Sequence, residues 1–193
     1  MTRFVCIDFE TNGFPPKGLA AGRDWPRPFS SYPIQVSVDV VEPSGLIEHA
    51  YDTVIKGAMQ LCHWVLEIAP IPISSVVRGR AWRDVLADLS GIIQSGDILV
   101  AHNASFDLDT VVKRCSERLD IDTPSLRKIL ATPRFCVMKC AYSKSVFGRC
   151  PKLQQLCEHF GVNLDQAHDA RADSAALAGC VSTALHRGVM LAL

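Results

Sequence analysis

The stretch FVCIDFETNG, residues 4–13, decides how the chain is read. Phe4, Val5, Cys6 and Ile7 have the composition of a buried strand, which the pattern extends to Phe9. Asp8 and Glu10 then follow, separated by Phe9. In a strand, residues i and i+2 project to the same face. Both carboxylates therefore point one way and Phe9 points into the opposite layer. Like charges held this close repel and retain protons. Removing them from water requires a compensating partner, and a divalent cation is the natural partner of paired carboxylate oxygens. Water at an exposed strand end would serve as well, and these residues alone do not choose.

Two later stretches narrow the choice. In AHNASFD, residues 101–107, a short buried strand (ILVAHN, 98–103) runs into His102 and Asn103, and Asp107 opens a helix predicted over 106–119. Ligand sites in open α/β sheets gather at such carboxyl ends of strands. The plainer expectation is that Asn103 or Ser105 caps the helix and Asp107 favours its positive end. In HDARAD, residues 168–173, five helical steps turn the chain by about 500°. His168 and Asp173 can converge only if His168 lies in the loop before the helix, with Asp169 as N-cap. Asp173, one turn in, then faces the sheet. Ala170, Ala172, Ala175, Ala176 and Ala178 keep that helix thin enough for close packing. A capped amphipathic helix with solvated acids is the bland alternative.

The remaining pattern places these stretches in one architecture. IQVSVDVV (34–41), the turn EPSG and LIEHAYDTVIK (46–56) form an antiparallel meander with the first strand. Apolar residues at 82, 85, 86, 89, 92 and 93 predict a helix over 82–94. RFCVM (134–138) reads as a strand, KLQQLCEHFGV (152–162) as a helix ended at Gly161, and 169–188 as a last helix stopped at Gly188. Strands that first meander and then alternate with helices predict a mixed α/β sheet flanked by helices, in one domain over 1–193. Between the first two strands, residues 14–33 carry Pro15, Pro16, Pro26, Pro28 and Pro33, a density that excludes regular structure. Such a long loop is usually functional or disordered.

Composition excludes some classes. Lys plus Arg and Asp plus Glu number 20 each, so no global basic field recruits nucleic acid or membrane. No apolar run approaches the roughly 18–20 residues of a membrane span, and the first strand begins too early to leave room for a signal peptide. The 8 cysteines include no C-x-x-C pair. That predicts an intracellular protein, cytoplasmic or nuclear, in a reducing compartment. Cys136, Cys140, Cys150, Cys157 and His159 match no standard zinc spacing, so ordinary core thiols are expected.

D-x-E, H-N-A-x-F-D and H-x-A-x-x-D, in that order, resemble the three motifs of the DEDDh family of 3′→5′ exonucleases. This family has the ribonuclease H-like fold and includes polymerase proofreading subunits. The resemblance spans nearly the whole chain, and KLQQLCEHFGV is similar to the helix before the third motif. It implies that Asp8, Glu10, Asp107 and Asp173 bind two divalent ions, Mg²⁺ or Mn²⁺, and that His168 is the general base. It also brings Thr11, Asn12 and Gly13 to the terminal nucleotide and makes Asn103 a substrate-side contact. The implied reaction hydrolyses phosphodiester bonds of nucleic acid, with single-stranded DNA or 3′ ends favoured, to nucleoside 5′-monophosphates. The stretch 57–80 departs from the family pattern by lacking H-G-[IL], and the 14–33 loop is longer than in many relatives.

Rival expectations are an RNA-trimming 3′→5′ exoribonuclease, a noncatalytic nucleic-acid-binding module of the same fold, and a polymerase-bound proofreading subunit. The short tail after the last helix favours a free-standing nuclease; a homodimer stays open. Arg134, Lys139, Lys144, Arg149 and Lys152 lie in a stretch without acids, which either tracks a phosphate backbone or forms a solvated surface. Trp25, Phe29 and Tyr32 either stack on a base or pin the loop.

Overall fold

The computed structural model describes residues 2–13, 31–57 and 71–189. Strands β1 (Phe4–Thr11), β2 (Pro33–Val41) and β3 (Ile47–Val54) form the antiparallel meander. After helices α1 (Ile73–Arg78) and α2 (Trp82–Ile92), β4 (Ile98–Ala101) returns parallel to β1. Helix α3 runs as a π-helix over Ser105–Lys113 and as an α-helix over Arg114–Arg118. Helix α4 (Pro124–Ala131) leads to β5 (Arg134–Cys136), which pairs parallel with β4. Helices α5 (Ala141–Phe147), α6 (Leu153–Phe160) and α7 (Ala170–His186) follow. The sheet order is β3-β2-β1-β4-β5. The meander supplies one half of the sheet and the parallel crossovers the other, as the sequence pattern predicts.

The period-2 alternation of the strands sorts side chains into two cores. Val5, Ile7 and Phe9 of β1 join Val36, Val38 and Val40 of β2 under α2, α3 and α4, where Trp82, Leu86 and Val111 fill the layer. Cys6 of β1, Val100 of β4 and Phe135 of β5 face the other way, against α6 and α7 through Leu156, Leu177 and Val181. Ala176 and Ala178 are buried, so the small residues of α7 let it lie close on the sheet. Helix α6 ends at Gly161, whose φ of 72° is the left-handed cap conformation that glycine adopts without strain. No helix among the described residues is long and apolar enough to cross a membrane.

Several expectations need correction. The helix from residue 106 begins in π geometry, a form that occurs mostly as short bulges, frequently at functional sites. Neither Asn103 nor Ser105 caps it with a side chain; its first turn is closed by the Asn103 carbonyl, which accepts from Phe106 N at 2.7 Å. The strand at 134–138 stops at Cys136 and tightens into a 3₁₀ turn over Val137–Lys139. Helix α4 adds to the helices that periodicity predicts, and its signal is local: Thr123 caps Leu126 N and Pro124 occupies the first turn. Helix α5 is capped by the Cys140 thiol accepting from Ser143 N, a donor–acceptor pair that sequence rules do not anticipate. Trp25, Phe29, Cys62 and most of the 14–33 loop lie outside the described residues.

Candidate active site

Alternation along β1 aims Asp8 and Glu10 at the α7 side, while Phe9 packs edge-on against Trp82 at 6.0 Å between ring centroids. β1 pairs with β4 only over Phe4–Cys6, so its backbone edge beyond Cys6 is free to take another partner. Asp107, 4% exposed, lies at this end of the sheet, close enough to Asp8 for the two carboxyl groups to interact. The π start of α3 thus carries Asp107 to the end of the sheet while Leu108, Val111 and Val112 enter the core.

The third stretch arrives on α7. His168 lies in the preceding loop at φ 70°, a left-handed conformation in which histidine is enriched among non-glycine residues. Asp169 is the N-cap, its side chain accepting from Arg171 N at 2.8 Å. The His168 amide donates to Asp173 Oδ2 at 3.3 Å. Asp173 Oδ1 is buried and has no partner. Ligand atoms of Glu10, His168 and Asp173 all lie within 4.8 Å of one another.

The electrostatics tie Asp8 and Asp107 to this group. Burial pushes Asp8 well above the usual carboxylate range, and Asp107, Asp173, Glu10 and Asp169 push it the same way. Glu10 rises to about 8, through burial and then through Asp173, Asp169 and Asp107. Burial lifts Asp107 to about 7, opposed by the nearby Phe9 and Asp107 backbone amides. Asp173 is also raised by burial, against the His168 amide and the His168 charge. Such a set, without a cation, is driven toward its neutral forms. Its hard oxygen donors and the orphaned Asp173 oxygen fit a divalent metal of the Mg²⁺ or Mn²⁺ type.

The other candidate residues are placed as follows. Thr11, Asn12 and Gly13 are buried and braced against Ser31 and Tyr32. Asn12 Oδ1 accepts from Tyr32 N at 2.8 Å, and the Gly13 carbonyl accepts from Thr11 Oγ1 and Ser31 Oγ, each at 3.0 Å. Tyr32 is buried in the core and donates to the Lys56 carbonyl at 3.1 Å, so it pins the chain instead of offering a free stacking face. Asn103 Oδ1 accepts from Ser105 Oγ at 3.0 Å, and Lys139 Nζ donates to Ser105 Oγ at 2.8 Å. Lys139 is thus the member of the basic run that joins the site's rim. Arg134 pairs with Asp109 at 2.5 Å, and Lys144, Arg149 and Lys152 are exposed.

Among the described residues, Glu10, His168 and Asp173 form the one group of His, Cys, Asp or Glu side chains able to hold a metal. The cysteines at 136, 140, 150 and 157 do not form such a group. Cys140 caps α5, Cys157 Sγ lies 3.8 Å from Cys180 Sγ, and His159 bonds Tyr142 Oη at 2.8 Å.

Sequence reasoning missed a polar stripe on β2. Gln35, Ser37 and Asp39 alternate along the strand and are all buried beneath α7. Ser174 Oγ reaches Asp39 Oδ2 at 2.5 Å and Ser37 Oγ at 2.8 Å, and Asp39 Oδ1 lies 3.1 Å from His49 Nδ1. Its signal is the Gln-Val-Ser-Val-Asp-Val alternation inside a strand that a helix must cover.

A family model described as exonuclease matches residues 5–180. No curated protein matches the sequence significantly. Among solved structures, the chain is similar to a 3′-exonuclease that recognises the 3′ end of a histone mRNA stem-loop. That likeness has 18% identity over 97% of this chain and 83% of that one, with a TM-score of 0.75. It is similar to Escherichia coli exonuclease I in complex with a dA16 oligonucleotide at 15% identity, over 99% of this chain and 42% of that one, with a TM-score of 0.71. Exonuclease X in complex with 5′-overhanging duplex DNA gives 18% identity over 97% and 93% of the two chains and a TM-score of 0.61. These likenesses establish the ribonuclease H-like α/β fold.

Proposed function

We propose that this chain, which belongs to the exonuclease family, removes nucleotides from the 3′ end of a nucleic acid strand as nucleoside 5′-monophosphates. The observation that carries the reading is the state of Asp173: one carboxylate oxygen tied to the loop that bears His168, the other buried, unpartnered and surrounded by further acids. Asp8, Glu10, Asp107 and Asp173 would hold two divalent ions, Mg²⁺ or Mn²⁺. Bound there, the ions supply an activated water and stabilise charge on the leaving oxygen.

The remaining work falls to side chains of the chain itself. His168 stands exposed at the rim with a ring nitrogen in the same cluster as Glu10 and Asp173, and it accepts the proton of the attacking water. Lys139, held on Ser105 beside Asn103, offers its charge to a backbone phosphate next to the reacting one. Histone mRNA, single-stranded DNA and duplex DNA are ligands of the structural neighbours, so substrate choice is read from experiment. Unlabelled DNA and RNA strands are digested with Mg²⁺ and the products separated by chromatography. The reading expects 5′-mononucleotides from at least one polymer. Products bearing 3′-phosphates, or oligonucleotides alone, would contradict it.

A further inference from the structure

Glu10 and Gln35 are directly paired across the antiparallel β1–β2 ladder, so their side chains rise from the same face as near neighbours. Glu10 goes to the acidic cluster. Gln35, 9% exposed, goes to the start of α7 and uses both ends of its amide there. Its Oε1 accepts from Ala170 N at 3.3 Å, and its Nε2 donates to Asp169 Oδ1 at 3.4 Å. Ala170 is the first residue of α7, and its N–H has no intrahelical acceptor. Asp169 is the N-cap whose same oxygen accepts from Arg171 N.

We infer that Gln35 is a positioning residue that sets the gap between Glu10 on β1 and the His168–Asp173 unit on α7. The inference rests on the proposed exonuclease reading of that site. The requirement at position 35 is specific. The residue must accept one N–H and donate to one carboxylate, and it must be neutral. A glutamate there would still accept from Ala170 N but would place another anion beside Asp169 and Glu10. A leucine or methionine would leave the first N–H of α7 and one lone pair of Asp169 unsatisfied. Farther along α7, Ser174 and Ser182 also bond to the β2–β3 hairpin, so the helix stays docked when its first turn is loosened. Loss of Gln35 therefore shifts the first turn, with His168 and Asp173, more than it unfolds the chain. Productive attack tolerates little misplacement; about 1 Å can cost on the order of 10²-fold in rate.

The test compares Gln35→Met with Ser182→Ala, which removes a buried bond between α7 and the Gly45 carbonyl at the far end of the same helix. Melting temperature, kcat and KM for a labelled oligonucleotide are measured with saturating Mg²⁺. Gln35→Met is expected to lose about tenfold or more in kcat with KM changed by less than about twofold, while Ser182→Ala keeps kcat within about twofold at a comparable loss of melting temperature. If Gln35→Met does not fold, Gln35→Asn, which keeps the amide but is one methylene too short to reach, takes its place with the same expectation. Unchanged kcat in the position-35 variant overturns the inference, as does an equal kcat loss in Ser182→Ala. Active wild-type protein with an indifferent position 35 removes this inference alone. A wild type without metal-dependent cleavage removes the functional reading beneath it.

Discussion

The backbone amide of His168 donates to the Oδ2 of Asp173 at 3.3 Å, so the loop residue and the helix residue form one bonded unit. The left-handed turn at His168 is what bends the chain back onto the first turn of α7. The unit leaves Asp173 Oδ1 buried and without a partner, on a residue clustered with Glu10.

His168→Ala should slow cleavage by about 10²- to 10⁴-fold, the usual contribution of a general base. Oligonucleotide affinity and the melting-temperature rise on adding Mg²⁺ should persist, because the carboxylates proposed to hold metal remain. Single-turnover rates and thermal melts check both halves. A variant that loses the metal response would make His168 a ligand instead of the base.

The acids predict an unusual pH response of the metal-free protein. Unfolded Asp and Glu titrate near about 3.9 and 4.3, whereas Glu10 and Asp107 in the fold sit at about 8 and about 7. Between those values the folded state binds more protons than the unfolded one. Stability from these groups is therefore greatest at the acid end of the window and falls as pH rises toward 8. Asp107→Asn removes one of them. It should flatten the decline in melting temperature between pH 5 and 8 in chelator, raise the value at pH 8, and lower cleavage by about 10²- to 10³-fold. An equal decline in wild type and variant would show that Asp107 is not held protonated.

Metal binding reverses the same penalty. Mg²⁺ should raise the melting temperature more at pH 8 than at pH 6, and binding at pH 7 should release protons. Calorimetric titration in two buffers of different ionisation enthalpy counts them. Buffer-independent heats would contradict the raised carboxyl groups.

Lys139→Ala should weaken oligonucleotide binding and reduce the salt slope by about 1, with kcat nearly unchanged. Lys144→Ala, exposed and outside the Asn103–Ser105–Lys139 chain, should do less. Equal effects would assign binding to the whole basic run.

Much of this arrangement was legible in the sequence because it rests on local periodicity. Two-residue alternation fixes the face of Asp8 and Glu10, and helical rotation forces His168 into the loop before α7. What stayed hidden depends on tertiary partners. The π start of α3 is not written in local periodicity: it takes Asp107 to the acidic cluster while Leu108 and Val111 stay in the core. Gln35 reads as one of three alternating polar residues on a wet strand face until α7 lies over it. Cys140 reads as a core thiol until Ser143 N is found donating to it.

The central claim is metal-dependent hydrolysis from the 3′ end at the Asp8–Glu10–Asp107–Asp173 cluster. The most direct measurement follows matched 5′-labelled and 3′-labelled strands, as DNA and as RNA, with Mg²⁺ and with excess chelator. The predicted result is a ladder shortening one nucleotide at a time from the 5′-labelled strand and immediate release of labelled mononucleotide from the 3′-labelled strand. Both should vanish in chelator and in Asp8→Asn. Undiminished cleavage in chelator, or a shortening ladder from the 3′-labelled strand, would contradict it.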